Sequence, residues 1–136
     1  MTVRVAGMWE MGWKAPISEH DVWSYMLRDF AADEWIMCPV SGIDSNKVTE
    51  MATLADVVAA APETIVIVDE KGEIPLHEFE HPDDALYVIG KTSYSPMALG
   101  TGLSVYVETP TGAQGLLWSD QVIALVLYDR MVKSWQ

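Results

Sequence analysis

The histidines and glutamates of one proline-bounded stretch come nearest to a metal-binding pattern. His77 and His81 are four residues apart, and Glu78 and Glu80 lie between them. Imidazole and carboxylate groups are common ligands of Zn²⁺. The spacing matches no standard zinc motif, however, and the flanking prolines indicate a loop rather than a helix. Two interpretations therefore stand, a metal site and ordinary solvated side chains, and we favour the second.

Other familiar catalytic motifs are missing. The sequence has no Gly-x-x-x-x-Gly-Lys-Ser/Thr phosphate loop and no Gly-x-Ser-x-Gly nucleophile turn. Gly100-Thr101-Gly102 precedes a predicted strand instead of following one, and it lacks the third glycine of a dinucleotide-binding loop. The single cysteine, Cys38, excludes an intrachain disulfide and a multi-cysteine zinc site. It lies in an apolar run, which predicts a core residue rather than a nucleophile.

The elements that must position any site alternate between short apolar strands and helices. Strands are predicted at Thr2–Met8, Glu34–Val40, Thr64–Asp69, Ala85–Gly90 and Leu103–Glu108. Helices are predicted from Ser18 as N-cap to about Ala32, over Leu54–Ala60 after a Thr53 cap, and over Leu116–Lys133. In the first helix, Val22 and Tyr25 are expected on the apolar face with Met26 and Phe30.

This alternation predicts an α/β fold with a mostly parallel sheet and helices on both faces. Ligands of such sheets bind beyond the carboxyl ends of the strands. Of the loops that follow strands, Lys91–Gly102 and Thr109–Gly115 are rich in glycine, which allows a ligand to approach the backbone closely. The site is therefore expected in these loops.

The last predicted helix is apolar on all sides from Val122 to Leu127. Such a helix must be buried on every side. Trp118, Tyr128, Met131 and Trp135 add side chains that are common at protein interfaces. We expect a homodimer that forms through residues 116–133; the alternative is a central helix within one subunit.

Length, composition and charge limit the number of domains, the cellular location and the partners that the protein can have. The 136 residues predict a single domain, 1–136, and the apolar runs are shorter than the roughly 20 residues that span a bilayer. No signal peptide is recognisable, so a cytoplasmic protein without membrane contact is expected. Twenty acidic residues against eight basic ones give a charge of −12, which disfavours contact with phosphate backbones.

The chain resembles the SPOUT superfamily of RNA methyltransferases over nearly its whole length, most clearly in its C-terminal half. Four segments carry the resemblance, in the family's order and spacing: Leu27–Ala32 before a short strand, Leu86–Pro96 as a strand with its glycine loop, Val105–Pro110 as the next strand and turn, and Leu116–Asp129 as the final motif and helix. It implies a C-terminal trefoil knot, formed by the loops after Val68, Ile89 and Val107. It also implies dimerisation through the last helix and S-adenosylmethionine as the cofactor.

The resemblance assigns roles to particular residues. Ile89 and Gly90 are expected to flank the cofactor, Val107 and Thr109 to contact its adenine side, and Leu116 and Leu117 to close the pocket. For catalysis, the resemblance implicates Arg28 in orienting a phosphate or lowering the charge cost at the acceptor, with Ser119 placing that acceptor. A surface ion pair of Arg28 with Asp29, Asp33 or Glu34 is the alternative.

The sequence also departs from the family. Val22, Thr92 and Trp118 stand where an asparagine, a glutamate and a second asparagine are usual. Ser119, Asp120 and Thr92 are the polar residues near enough to substitute. Whether the chain is an active enzyme is therefore open at this point.

Two functions remain. The first is transfer of a methyl group from S-adenosylmethionine to RNA, at a ribose 2′-hydroxyl, in spite of the acidic charge. The second is a catalytically inactive knotted dimer that binds the cofactor or other proteins. Trp9, Trp13, Trp23 and Trp35 could stack on bases, but packing inside the protein is the favoured interpretation.

Overall fold

The computed structural model describes residues 1–10, 16–91 and 93–136. The strands in this part of the chain are β1 Val3–Met8, β2 Glu34–Cys38, β3 Thr49–Glu50, β4 Thr64–Val68, β5 Ile74–Pro75, β6 Ala85–Ile89, β7 Leu103–Tyr106, β8 Glu108–Thr109 and β9 Gly112–Ala113. The α-helices are α1 Pro16–Asp29, α2 Leu54–Ala60 and α3 Ser119–Ser134, and short 3₁₀ turns cover Leu76–Glu78 and Pro96–Leu99.

Seven strands form one parallel sheet in the order β3-β2-β1-β6-β4-β7-β5. The predicted mostly parallel α/β architecture is confirmed. β6 lies at the centre, between β1 and β4, and all five of its residues are buried. The strand that leads into the predicted glycine loop is thus buried on both faces, as its continuous apolar run indicates.

The two faces of the sheet carry separate apolar clusters. α1 and α3 cover one face through Trp23, Leu27 and the buried α3 residues, of which Ile123 and Val126 are fully enclosed. α2 covers the other face through Leu54 and its neighbours. Helices therefore lie on both faces, and α1 and α3 share the face from which the candidate site opens.

The boundaries of α1 differ from the sequence prediction. The helix begins at Pro16, so Ser18 is inside its first turn and not the N-cap. It ends at Asp29 because Ala31 adopts a left-handed conformation (φ 55°) and the amide of Ala32 donates to the carbonyl of Leu27. This arrangement terminates a helix without glycine.

α3 begins three residues later than predicted, which places Leu116 and Leu117 in the preceding loop. The left-handed backbone of Gln114 and Gly115 (φ 60° and 52°) turns the chain before the helix. The amide of Trp118 then donates to Oε1 of Gln121, which caps the helix (2.9 Å). The prediction of Thr53 as the cap of α2 is confirmed, since its side chain accepts from the amide of Asp56.

The expectation that α3 is buried on every side is wrong for a single chain. Leu125 and Tyr128 are 43% and 54% exposed, and Trp118 extends the same stripe at the start of the helix. Val22 and Tyr25 of α1 are also about half exposed, contrary to the prediction that they face the core. α3 is thus no central helix of the subunit, and two neighbouring helices present apolar side chains to solvent.

Candidate active site

A cavity of about 500 Å³ opens at the carboxyl ends of β1, β4 and β6, next to the start of α3. This is the edge at which parallel α/β sheets bind ligands. Its described lining consists of Glu10, Val68, Asp69, Glu70, Ile89, Gly90, Lys91, Tyr94, Ser95, Gln114, Gly115, Leu116, Leu117, Trp118, Ser119 and Val122. Segments far apart in the sequence therefore meet around one space.

Gly90 directly follows β6, and its backbone forms part of the cavity wall. Lys91 and Tyr94 exchange two backbone hydrogen bonds of 2.9 and 3.1 Å, so the turn folds back on Gly90. A Cβ atom at position 90 would overlap the carbonyl oxygen of Tyr94 and lie 2.9 Å from Cδ of Pro96. Only glycine fits here, and the tight turn leaves backbone groups beside the cavity.

Ser119 joins three elements at the inner end of the cavity. Its buried hydroxyl lies 2.9 Å from Oε1 of Glu10 and 2.9 Å from the carbonyl oxygen of Gly90. A hydroxyl has one proton to donate, so the Glu10 carboxyl oxygen and the Gly90 carbonyl compete for it. Glu10 is in turn positioned by its own amide, which donates to Glu19 (2.9 Å).

Asp69 fixes the opposite wall. Its buried carboxylate accepts from the amide of Lys71 and from the hydroxyl of Ser95, both at 2.9 Å. The end of β4 is thereby tied to the loop after β6. Sequence reasoning missed Asp69 and Glu10 as site residues. Asp69 directly follows β4, and Glu10 lies two residues after the end of β1.

The loop before α3 forms a third wall of the cavity, and Gln114 in this loop has a strained backbone conformation. Its amide donates to the carbonyl of Val107 (2.6 Å), and its own carbonyl accepts from the amide of Leu117 (3.1 Å). Its φ of 60° lies in the left-handed region, which non-glycine residues rarely adopt. Within the described chain, the buried side-chain oxygen Oε1 of Gln114 has no hydrogen-bond partner.

The cavity combines apolar walls with an excess of negative charge. Val68, Ile89, Leu117 and Val122 supply aliphatic surface, whereas the described lining carries three carboxylates and one lysine, Lys91. Such a surface favours a ligand with an apolar ring system and positively charged or hydrogen-donating groups.

The structure brings together five of the eight residues predicted for the site. Ile89, Gly90, Leu116, Leu117 and Ser119 all line the cavity. Leu116 is 97% exposed, so its side chain lies at the mouth rather than closing the pocket.

Val107 and Thr109 lie behind the cavity wall instead of on its described surface. Val107 is buried and holds Gln114 through its carbonyl. Thr109 belongs to the β8–β9 hairpin, where its hydroxyl donates to the carbonyl of Gly112 (2.7 Å). Both residues support the segment that forms the wall.

Arg28 is separate from this cavity. It is exposed in the last turn of α1, and its guanidinium carbon lies 5.4 Å from the centre of the Tyr25 ring. Arg28 forms none of the alternative ion pairs with Asp29, Asp33 or Glu34 among the described residues; Asp33 accepts from the amide of Val3, and Glu34 pairs with Arg4. Of the other polar candidates, Asp120 is in the first turn of α3, and Thr92 lies outside the described residues.

The two histidines of the possible metal pattern do not converge. His77 is exposed, but His81 is buried, so the expectation of a solvated loop side chain is wrong for His81. Its nitrogens contact the Tyr87 hydroxyl (2.7 Å) and the Asp129 carboxylate (2.8 Å). In the parts of the chain that are described, no group of three or more His, Cys, Asp or Glu side chains is arranged to hold a metal ion.

The remaining chemical candidates belong to the core. Cys38 is 1% exposed, and burial raises the pKa of its thiol to about 11, which makes it a poor nucleophile. Trp9, Trp23 and Trp35 are buried and pack against one another, which confirms packing rather than base stacking for these three; Trp13 lies outside the described residues. No helix of the described chain has the length and apolar character needed to cross a bilayer.

Solved methyltransferases share this fold, whereas no protein-family model and no curated protein sequence matches the chain. The SpoU methyltransferase AviRb from Streptomyces viridochromogenes, in complex with AdoMet, matches with a TM-score of 0.74 at 14% identity, over 99% of this chain and 58% of its own. An AdoMet-bound rRNA methyltransferase from Sinorhizobium meliloti matches with a TM-score of 0.70 at 13% identity, over 97% of this chain and 56% of its own.

A third structure matches along nearly its whole length. It concerns the 2-OH methylation of C/U34 on tRNA, and it has a TM-score of 0.74 at 11% identity, over 99% of this chain and 92% of that one. This chain thus spans little more than half of AviRb and of the Sinorhizobium protein but almost all of the third. The comparisons confirm what the motif resemblance predicts at the level of architecture: the chain has the fold of the SpoU methyltransferases.

Proposed function

We propose that this protein binds S-adenosylmethionine in the cavity beside Gly90 and transfers its methyl group to RNA. The observation that carries the proposal is the position of this cavity: it lies at the ends of β4 and β6 and the start of α3, in a fold shared with methyltransferases solved with AdoMet. Proteins that share a fold can differ in function, so the chemistry of the cavity itself must also fit.

The residues present fit this cofactor. The cavity volume lies within the usual range for small-molecule sites. The glycine at position 90 lets the turn from Lys91 to Tyr94 pack directly against the end of β6, which fixes backbone groups beside the cavity. The carboxylates of Glu10, Asp69 and Glu70 complement the sulfonium and ammonium charges of the cofactor, and Ile89 and Leu117 offer apolar surface to its purine.

The chain's own groups supply the orientation and the proton acceptor. When bound, S-adenosylmethionine would provide a methyl group on a positively charged sulfur. Ser119 would form a hydrogen bond with the acceptor hydroxyl, and Glu10, 2.9 Å from Ser119, would take the proton that this hydroxyl loses as its oxygen–methyl bond forms and the sulfur–methyl bond breaks, which leaves a neutral thioether. Holding the two reactants together supplies much of the rate.

A ribose 2′-hydroxyl is the proposed acceptor. Carboxylate and hydroxyl groups at the inner end of the cavity suit removal of a proton from an alcohol, and the described lining holds no cysteine for attack on a base carbon. The net charge of −12 opposes binding of the phosphate backbone. Lys91 at the cavity and Arg28, which forms no ion pair among the described residues, are therefore the proposed phosphate contacts.

The proposed role of Arg28 requires a second subunit, because Arg28 does not line the cavity of its own chain. We propose a homodimer through the exposed stripe of Trp118, Leu125 and Tyr128 on α3, with the neighbouring Val22 and Tyr25 of α1. Leu125→Glu combined with Tyr128→Glu should give monomers in sedimentation velocity. Ala59→Glu, on the exposed face of α2, is the matched control and should leave the dimer intact; a monomeric wild type would contradict the proposal.

The trefoil knot is also part of the proposal. The close approach of separate connections supports it, because Cβ atoms at Gly72 and Gly102 would meet the backbone of Val105 and Ile65 at 2.6 and 2.5 Å. The third loop of the knot would start after Tyr106, where β7 ends, rather than after Val107. An experimentally determined chain path without threading would contradict this part.

Methyl transfer from radiolabelled S-adenosylmethionine to bulk RNA tests the function. Digestion to nucleosides should place the label on ribose. Ser119→Ala should reduce transfer by at least tenfold while cofactor binding is kept, and Glu10→Gln should reduce transfer by at least tenfold with the cofactor at saturation. Binding without transfer by the wild type would favour the inactive module, and absence of binding would reject the methyltransferase and leave only a module that binds other proteins.

A further inference from the structure

A second cavity, of about 740 Å³, lies at the opposite end of the sheet from the candidate active site. It is enclosed by the start of β1, the end of α1, the connection over 77–83 and the last turns of α3. Its volume is within the range of ligand-binding sites. None of its lining residues takes part in the proposed methyl transfer or in the proposed dimer stripe, so both proposals leave it without an occupant.

The base of the second cavity is apolar. Phe79 and Leu127 are 2% and 3% exposed, and the half-buried Phe30 and Met131 complete the surface. Leu127 and Met131 are four residues apart and therefore share one side of α3. A ligand that reaches this base has to bring apolar groups of its own.

The lysine and the arginine of the described lining are already engaged inside the protein. Arg130 donates to the carbonyl oxygens of Pro82 and Asp83. Lys133 pairs with Asp129 and donates to two backbone carbonyl oxygens. Because these cations are directed into the fold, they offer little to a negatively charged ligand.

The acidic side chains of the lining are in the opposite state. Glu80 and Asp83 are exposed, and neither carboxylate has a hydrogen bond or an ion pair among the described residues. The Asp33 carboxylate accepts one bond, from the amide of Val3, and Glu78 contacts only the neighbouring histidine, at 3.8 Å. The second cavity thus combines an apolar base with a rim of available carboxylates.

We infer that the second cavity binds a basic segment of a partner protein, in which Lys or Arg residues flank apolar side chains. The apolar side chains pack on Phe30, Phe79 and Met131, as in other grooves that bind amphipathic segments, and the basic groups pair with the rim. The same rim repels RNA. A second copy of this chain, with 8 basic residues against 20 acidic ones, offers the rim little positive charge. Where the proposed function holds, the partner also supplies positive surface for RNA that this chain lacks.

A synthetic peptide replaces the partner in the test. It has about 12 residues, long enough to cross the cavity in an extended or a helical form, and pairs of Lys or Arg alternate with pairs of Leu or Phe. Fluorescence anisotropy measures its binding to the full chain without cofactor. A second peptide with Ser in place of Leu and Phe should bind about tenfold more weakly or worse, because it cannot cover the apolar base.

Two double variants of equal net charge locate the binding site. Glu80→Lys with Asp83→Lys reverses the rim and should weaken binding of the first peptide by about tenfold or more. Asp44→Lys with Glu73→Lys is the matched control and should weaken it by less than about threefold. Those two carboxylates are also exposed and without a polar partner among the described residues, but they lie outside the cavity. Glu80→Gln with Asp83→Asn, which keeps the side-chain shapes, should give a smaller loss in the same direction.

Three results would overturn the inference. Equal weakening by the two lysine double variants would indicate general attraction to an acidic protein. Equal binding of both peptides would show that the apolar base is not used. Conversion of a dimer to monomers by Glu80→Lys with Asp83→Lys, in sedimentation velocity, would make the cavity an interface between copies of this chain.

The peptide test is independent of the proposed function. Specific peptide binding by a protein that does not bind S-adenosylmethionine would support the inference and reject the methyltransferase. Binding of S-adenosylmethionine without binding of the peptide would reject the inference and leave the proposed function standing.

Discussion

The two ends of α3 differ in how completely their polar groups are paired. At the start of the helix, Ser119 has two acceptors for one proton, and Gln114 in the adjoining loop has an oxygen without a donor among the described residues. At the other end, every group of the network around His81 has a partner. The helix therefore joins an open site to a closed anchor.

The anchor ties α3 to the connection before β6. His81 lies between the Tyr87 hydroxyl and Asp129, and Asp129 also pairs with Lys133 at 2.8 Å. Lys133 donates to the carbonyl oxygens of Leu76 and Phe79, and Arg130 donates to the carbonyl of Pro82 and to the Tyr87 hydroxyl. Such satisfied networks hold one arrangement firmly.

The difference indicates that the two ends of α3 have different roles, one structural and one in ligand binding. Paired polar groups at the C-terminal end fix α3 against the sheet, so the N-terminal end can keep incompletely paired groups at a defined position. Groups that stay unpaired in the free protein lose less when they bind a ligand, because no internal hydrogen bond has to break first. Substitutions that disturb one end at a time separate the two roles.

The largest loss of stability is expected from breaking the anchor. Asp129→Ala leaves the mostly buried His81 and Lys133 without their shared carboxylate, and the free energy of unfolding should fall by about 3 kcal/mol in chemical denaturation. Glu80→Gln changes an exposed carboxylate of the same connection and should alter it by less than about 0.5 kcal/mol. Equal effects of the two substitutions would mean that the network is not an anchor.

A smaller loss of stability, with complete loss of cofactor binding, is expected from Gly90→Ala. The new methyl group would overlap the Tyr94 carbonyl and force the turn away from β6, at a cost of about 2 kcal/mol. Gly100→Ala is the control in the same connection, since its Cβ meets no atom within 4 Å and only the φ of 63° is unfavourable. Calorimetry should detect binding in Gly100→Ala alone; binding by Gly90→Ala would show that the tight turn is not needed.

The smallest effect concerns pH. Burial lowers the pKa of His81 below its ordinary value of 6.5, although Asp129 opposes this and Lys133 and Arg130 reinforce it. Below about pH 6.5 the unfolded chain therefore binds a proton at His81 that the folded chain does not. Because this proton stabilises the unfolded chain, the free energy of unfolding decreases as the pH falls.

His81→Gln should remove that contribution, so the free energy of unfolding should fall less steeply below pH 6.5 than in the wild type, by up to about 1.4 kcal/mol per pH unit. Tyr87, buried beside His81, keeps its proton throughout this range because burial raises its pKa. The free energy of unfolding of both proteins is measured by urea denaturation at pH 5 and pH 7. An equal loss between the two pH values in wild type and His81→Gln would contradict a neutral His81 in the folded protein.

The sequence predicted the open end better than the anchor. The resemblance of the Leu86–Pro96 strand and glycine loop to the SPOUT family assigned Ile89 and Gly90 to the cofactor, and both line the cavity. His81 could not be recognised as buried, because its partner Asp129 is 48 residues away and only the fold brings the two together. Two-residue strands such as β5 are too short for a periodic pattern to predict them.

The start of α3 shows a different limit of sequence reasoning. The run of apolar residues from Leu116 predicted a helix there, but the left-handed backbone at Gln114 and Gly115 delays it to Ser119. Glycine favours such a conformation and glutamine does not, so nothing in the sequence pointed to Gln114.

Hydrogen–deuterium exchange with and without S-adenosylmethionine tests the division of α3 most directly. Binding at the open end should slow exchange of the amides at 89–91 and 114–119, and exchange at 76–83 and 129–133 should stay as it is in the free protein. Protection confined to the anchor, or no protection at either end with the cofactor in large excess, would contradict the account.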